Sequence, residues 1–229
     1  AEKLGWEEDE YEGEPIYKFP NSHDIPREVM PQIASGPAVE KLEEQLEKVK
    51  AKEGKKSPEY KKIEDKIKAM KAKLTNDFVG YLQAISVGVE DKMGDDAPQA
   101  QELKPTQVHG KSDKINFFSG LMDEGKWDWE KAKTENPVIV SKDGYILDGH
   151  HRWAAQMLGD PTSGFNVRVA DLDIEPLLKV AHTAKHTGYK SLGGSVTRPA
   201  KRADLFDGTG VNVTGGQSVN FASQILGRD

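Results

Sequence analysis

The chain of 229 residues contains no cysteine. It therefore forms no disulfide bond, and no thiolate is available as a nucleophile or as a metal ligand. Proteins without disulfides are typical of reducing compartments, and an assembled virus particle would fit equally well. We expect the protein to be cytoplasmic or virion-associated.

Long apolar runs are also missing. Only 36% of the residues are hydrophobic, 31% are charged, and the mean hydropathy is −0.68. No stretch approaches the ~20 apolar residues that a membrane helix needs. The first residues, AEKLGWEEDEYEGE, lack the basic and apolar pattern of a secretion signal. We expect a soluble protein with no membrane partner.

Positive charge is scarce in the middle of the chain. Residues 75–175 carry 10 basic and 18 acidic side chains, a net charge of −8. A protein that binds nucleic acid along its length needs the opposite balance. The charge therefore argues against nucleic acid as a partner, whereas a small phosphorylated ligand held by a few cations is compatible with it.

Composition divides the chain into four predicted segments. Residues 1–36 contain four prolines and an acidic cluster, which predict an extended arm with little regular structure. Residues 37–93 have helical periodicity, and residues 102–190 alternate short strand and helix patterns after the linker GDDAPQAQ. Residues 191–229 are rich in glycine and serine and predict an irregular tail.

The segment 37–93 predicts an antiparallel, coiled-coil-like helical hairpin. Ser57 is a good N-cap and Pro58 a good first helical residue for its second helix. Apolar residues recur three and four positions apart on both helices, namely Val39, Leu42, Leu46, Val49, Ile63, Ile67, Met70, Leu74 and Phe78. These narrow seams suffice to pair the two helices. We interpret the hairpin as an insertion or as an arm for a protein partner or a homo-oligomer.

The most informative stretch is 136–158, NPVIVSKDGYILDGHHRWAAQML. It predicts a strand at 138–140, a tight Asp143-Gly144 turn, a returning strand at 145–147 and a helix that starts after Gly149. The free N–H groups and the dipole of a helix start favour an anion. The stretch therefore predicts a phosphate site.

This stretch resembles the ParB/sulfiredoxin-like superfamily. Gly149, His151 and Arg152 match the Gly-x-His-Arg part of the superfamily's box, and His150 stands where sulfiredoxins have their nucleophilic cysteine. The run Leu103-Lys104-Pro105-Thr106-Gln107 is similar to the first strand of the same fold, and a helix over 114–129 is expected between this strand and the box. The resemblance covers about residues 102–173. It implies an α+β protein with a small mixed-sheet domain that binds nucleotide phosphate at the helix start.

The members of this superfamily include CTP-binding DNA-partition proteins, nucleases, ATP-dependent sulfiredoxins and free-serine kinases. Sulfiredoxin chemistry is excluded because it needs a thiolate. The arginine pair of ParB is reduced to Arg152, which weakens a CTP-clamp interpretation. The serine kinases are most similar in having Asp and His around the glycine. They use an acidic base near the first strand, where this chain has His109.

The resemblance implies roles for eight residues. The candidate catalytic residues are Asp148, His150 and His109. The candidate phosphate- or nucleotide-binding residues are Gly149, His151, Arg152, Lys111 and Gln107. The implied cofactor is a nucleoside triphosphate or diphosphate (ATP, ADP or CTP) with Mg²⁺, for which Asp148 is the candidate ligand. A structural alternative makes Asp148 the N-cap of the helix.

Three functions remain as hypotheses. The first is a nucleotide-dependent phosphotransferase or hydrolase that acts on a small molecule. The second is a non-catalytic structural or assembly protein, for example of a phage particle, that keeps the ParB-like module. The third, a ParB-like DNA-binding protein or nuclease, ranks lower because of the acidic charge.

His182 and His186 are four residues apart on a predicted helix over 174–189, a spacing that can chelate a transition metal. The glutamate that accompanies such a pair in zinc proteases is missing from the run HTAKH. We assign no metal site to these histidines.

Overall fold

The structure is a computed structural model that describes residues 1–23, 25, 30–128, 138–184 and 187–188. This described part contains five α-helices and ten β-strands in three sheets. The predicted α+β class is confirmed. None of the helices described is both long enough and apolar enough to cross a membrane.

The bounds of the elements are as follows. The strands are β1 (Glu7–Tyr11), β2 (Glu14–Lys18), β3 (Gln32–Ile33), β4 (Val89–Lys92), β5 (Lys104–Pro105), β6 (His109–Lys111), β7 (Ile139–Ser141), β8 (Tyr145–Asp148), β9 (Val167–Ala170) and β10 (Thr187–Gly188). The helices are α1 (Pro37–Glu53), α2 (Pro58–Ala84), α3 (Ser112–Asp123), α4 (His150–Gly159) and α5 (Ile174–Thr183).

The largest sheet has five strands in the order β4-β9-β7-β8-β5. Its centre is the β7–β8 hairpin, which turns at Asp143-Gly144 as the sequence predicts. Gly144 has a φ of 87°, a value that favours glycine. Ser141 Oγ accepts the N–H of Tyr145 at 3.0 Å and so closes the turn. β9 and β5 join this hairpin in parallel, one on each side.

Two hydrophobic clusters cover the two faces of this sheet. The helical cluster includes Phe78 and Leu82 of α2, Leu177 and Leu178 of α5, and the strand residues Ile139 and Leu147. The aromatic cluster includes Trp6, Tyr17, Phe19, Trp153 and Phe165, with the strand residues Val138, Val140 and Ile146. Alternate residues of a strand point to opposite faces, so the continuous apolar runs of β7 and β8 serve both clusters.

The helices α1 and α2 pack side by side, and Lys71 Nζ contacts Glu43 Oε1 across them at 2.7 Å. The N-cap is confirmed, since Ser57 Oγ accepts the N–H of Tyr60. α2 is ten residues longer than α1 (27 against 17). The last turns of α2 therefore reach the sheet, where Phe78 and Leu82 are fully buried.

The predicted boundary after residue 93 runs through the five-stranded sheet. β4 lies before that boundary and pairs with β9 from Val89↔Ala170 to Lys92↔Val167. Together with the end of α2, it places the segment 37–93 in the same core as the segment 102–190. The composition of the linker does not reveal the pairing of β4 with β9, because main-chain groups make the hydrogen bonds between the two strands.

The amino-terminal segment differs from the predicted irregular arm. β1 and β2 form a hairpin through Glu12 and Gly13, both at positive φ (54° and 76°). β2 also pairs with β6, but only over Ile16–Lys18. Pro15 lies outside this second ladder, where its missing N–H costs nothing. Packing of Trp6, Tyr17 and Phe19 in the aromatic cluster outweighs the local preference against regular structure.

Two predicted helices end earlier than expected. α5 ends at Thr183, and Thr187 Oγ1 donates to the carbonyl oxygens of Ala181 and Ala184. The chain then forms β10, which pairs with β3, so the prediction of helix to residue 189 is wrong. The predicted helix over 114–129 is α3, which ends at Asp123. Residue 129 and the predicted tail 191–229 lie outside the described residues.

The shared core gives a testable consequence. Replacing Phe78 by Ala should lower the free energy of unfolding by about 3–5 kcal/mol, because a fully buried aromatic side chain leaves a cavity. Denaturant unfolding should be followed by far-ultraviolet circular dichroism and by tryptophan fluorescence. Both midpoints should fall together, although Trp6 and Trp153 lie in the aromatic cluster.

The matched control is Lys66→Ala, an exposed position of the same helix. It should shift neither midpoint appreciably. If Phe78→Ala lowered only the circular dichroism midpoint and left the fluorescence midpoint unchanged, α1 and α2 would form a separate folding unit.

Candidate functional site

The candidate site is built where β8 passes into α4. Gly149 occupies the N-cap position with a φ of 106°, and no side chain caps the helix. The alternative that Asp148 is the N-cap is therefore wrong. A Cβ on Gly149 would lie 2.8 Å from Val138 Cγ2 and 3.1 Å from Arg152 Nη2. Both the backbone angle and the close packing require glycine here.

His150 is buried and binds the main chain of the segment after β5. Its Nε2 atom accepts the N–H of Thr106 at 3.1 Å and the N–H of Gln107 at 3.2 Å. An imidazole nitrogen that accepts hydrogen bonds carries no proton. The geometry therefore places the proton of the neutral ring on Nδ1.

His151, the next residue, makes an equivalent contact at the other end of the same segment. Its Nε2 atom accepts the N–H of Lys111 at 3.2 Å. The two adjacent imidazoles, which we call the histidine clamp (His150 and His151), thus hold both ends of the segment 106–111 against the first turn of α4. The clamp joins parts of the chain that are some 40 residues apart.

The residues held by the clamp include three sequence-predicted site residues. Gln107 is almost fully buried, and its Nε2 atom donates to the carbonyl oxygen of His109 at 3.2 Å. The His109 ring is also buried and lies 4.6 Å from the Tyr11 ring, centroid to centroid. Lys111 is more accessible, and its Nζ atom lies 3.0 Å from Glu14 Oε1. Of these three residues, Lys111 has the most exposed side chain, at 29%.

Arg152 brings a buried positive charge to the first turn of α4. Its side chain is only 5% exposed. Burial lowers the pKa of Arg152 to about 10, and the nearby negative charge of Asp148 acts in the opposite direction. The guanidinium remains charged at neutral pH. A buried cation is costly without anionic neighbours, and the carboxylate of Asp148 is one such neighbour.

Asp148 is half-buried at the end of β8, opposite Ile139 of β7. Its negative charge acts on the guanidinium of Arg152. Within the described residues, no three His, Cys, Asp or Glu side chains lie close enough to hold a metal ion. Mg²⁺ that arrives with a nucleotide commonly uses one or two carboxylates together with phosphate oxygens and water. The donor chemistry of Asp148 fits that arrangement.

The structure thus brings Gln107, His109 and Lys111 to the helix start that carries residues 148–152. His182 lies elsewhere, on α5, and His186 is outside the described residues. The metal pair discussed for these two histidines stays untested.

Sequence reasoning missed the contribution of the amino-terminal hairpin to this site. Tyr11 and Glu14 flank its two-residue turn and contact His109 and Lys111. A signal was present: Gly13 stands in a possible two-residue turn, with Tyr11 before it and the apolar residues Ile16, Tyr17 and Phe19 after it. The acidic composition of the segment obscured it.

No family model, curated protein or solved structure matches this chain. The assignment of a function therefore depends on the geometry and chemistry of these residues.

The clamp predicts a stability effect. Replacing His150 by Leu should cost at least about 2 kcal/mol of unfolding free energy, because two buried N–H groups lose their acceptor and each costs about 1–3 kcal/mol. His150→Gln is the matched variant, since its side-chain oxygen can accept the same bonds. It should be the more stable of the two in urea denaturation. Equal stability of wild type and His150→Leu would contradict the assigned role.

Proposed function

We propose that the protein binds the phosphate groups of a nucleotide at the start of α4 and transfers or hydrolyses a phosphoryl group on a small substrate. The observation that carries this proposal is the clamp. It brings Lys111 to the same helix start as Asp148, Gly149 and Arg152, although these residues are far apart in the sequence.

The charges of this helix start suit an anion. The amino-terminal turn of α4 carries a partial positive charge from its N–H groups. Arg152 adds a buried cation and Lys111 an accessible one. Positive charge in a partly desolvated site stabilises the charge that spreads over a transferring phosphoryl group. We assign phosphate binding to Arg152, Lys111 and the Gly149 turn.

Asp148 is the proposed chemical residue. In a transfer reaction it would accept the proton of an acceptor hydroxyl as the hydroxyl oxygen bonds to phosphorus and the bond to the leaving phosphate oxygen breaks. Alternatively, the carboxylate would hold the Mg²⁺ of the nucleotide, which supplies charge neutralisation, and would not take the proton. In hydrolysis a water molecule takes the place of the acceptor hydroxyl.

The proposed roles of the histidines change from those that the resemblance implies. The Nε2 atoms of His150 and His151 already accept main-chain N–H groups. We therefore assign both rings to positioning the segment 106–111 and not to proton transfer or phosphate contact. His109 and Gln107 belong to the same buried support. The proposed fold of residues 102–173 remains ParB/sulfiredoxin-like.

A second candidate function is a non-catalytic structural or assembly module. One observation favours it: the most distinctive residues of the box, His150 and His151, make contacts that hold the fold together. In that case the box is retained for stability, and surfaces elsewhere contact partners. The two candidates differ in whether nucleotide is bound and consumed.

Binding is the first test. Arg152→Ala should weaken binding of ATP or CTP by about 1.5–3 kcal/mol, the range for a lost charge-assisted hydrogen bond. Isothermal titration calorimetry measures this, and Arg152→Lys tests whether charge alone suffices. The control is Arg168→Ala, which removes the same charge from a pair with Asp91 on β9 and β4. Identical affinities in all four proteins would refute the assignment of the site.

Turnover is the second test. Asp148→Asn should leave nucleotide affinity within about threefold and abolish phosphate release in the presence of Mg²⁺, since the amide cannot take a proton. Phosphate release should be followed with a panel of small hydroxyl-bearing acceptors, serine included. Asp171→Asn, an exposed carboxylate paired with Lys142, is the control and should keep full turnover. Nucleotide binding without any release by the wild type would favour the non-catalytic module.

A further inference from the structure

The β1–β2 hairpin forms one side of the candidate site. β2 pairs with β6 in the register Ile16↔Lys111 and Lys18↔His109. Residues two apart on a strand lie on the same face. Glu14 is two residues before Ile16, so it is on the face of the sheet that carries the side chain of Lys111. The sheet register therefore places a carboxylate beside a proposed phosphate ligand.

The contact between these two side chains is close and accessible. Glu14 Oε1 lies 3.0 Å from Lys111 Nζ, and the side chains are 36% and 29% exposed. The main chain of Lys111 is fixed, because its N–H donates to His151. Only the flexible side chain is free to turn. The ammonium group can therefore exchange one anion for another without any movement of the fold.

We propose that Glu14 is an internal anion that holds Lys111 in the ligand-free protein and is displaced by the dianionic phosphoryl group of the ligand. This inference rests on the proposed function and adds a selection step to it. We call the Glu14–Lys111 pair the carboxylate latch.

The latch favours one class of ligand. A phosphoryl dianion carries twice the charge of the carboxylate. At the helix start it would also contact Arg152 and the N–H groups of α4, whereas the carboxylate of Glu14 is held on β2, away from these groups. A monoanion such as acetate has no such advantage over Glu14. In the latch, Glu14 therefore keeps Lys111 paired when only small monoanions are present, and phosphate displaces Glu14 from Lys111.

The test uses inorganic phosphate at pH 8, where phosphate is mostly dianionic, and isothermal titration calorimetry on the full chain. Glu14→Gln removes the competing charge and should bind phosphate about two- to fivefold more tightly than the wild type, the range expected for a partly exposed ion pair. Glu8→Gln is the matched control. It makes the same change of charge on the same hairpin, at an exposed position opposite Tyr17, and should bind like the wild type.

A double-mutant comparison isolates the latch from the general effect of charge. In a Lys111→Gln background, adding Glu14→Gln should leave phosphate affinity unchanged, because no ammonium group remains to be released. Circular dichroism shows that each variant is folded. Phosphate binding by Glu14→Gln alone, with none by the wild type, would also support the latch.

The other outcomes overturn it in distinguishable ways. If the wild type binds phosphate and Glu14→Gln binds no more tightly, the latch is wrong and the proposed function stands. The same holds if Glu8→Gln shows an equal gain or if the gain persists without Lys111. If neither the wild type nor Glu14→Gln binds phosphate, the proposed function fails and the latch fails with it.

Discussion

The candidate site depends on one interaction: the rings of the histidine clamp accept hydrogen bonds from main-chain N–H groups of the segment 106–111. The segment 106–111 contains a strand of only three residues, β6, and its first N–H groups find no partner in a sheet. A buried main-chain donor must be satisfied. The clamp does this with side chains from the turn that begins α4. The segment and the helix start therefore stabilise each other.

The sequence predicts those parts of the molecule that local chemistry dictates. The Asp143-Gly144 turn, the helix that follows Gly149 and the Ser57 cap are all confirmed. The pairing of β4 with β9 could not be predicted, because ladder hydrogen bonds carry no side-chain signature. For the same reason the sequence revealed the box at 149–152 but not the contacts of Glu14. Those contacts follow from the register of β2 against β6.

Roles within the site show a related limit. A motif specifies which side chains are present, and the direction of each ring decides what the ring does. His150 and Asp148 are equally suited to proton transfer by residue type. The hydrogen bonds from Thr106 and Gln107 give the His150 ring a structural role. The half-buried carboxylate of Asp148 lies near the cation of Arg152. The proposed preference of the site for anions rests on the buried charge of Arg152.

The strand order also determines when each part of the protein can fold during synthesis. β2 must wait for β6, which lies about 90 residues later in the chain, and β4 must wait for β9 over a similar distance. Ribosomes add ~5–20 residues per second, so the amino-terminal hairpin has no partner strand for roughly 5–20 s. Two-stranded hairpins are marginally stable in water. During that interval the aromatic side chains of Trp6, Tyr17 and Phe19 are exposed. A chaperone that binds apolar segments could bind the hairpin at this stage.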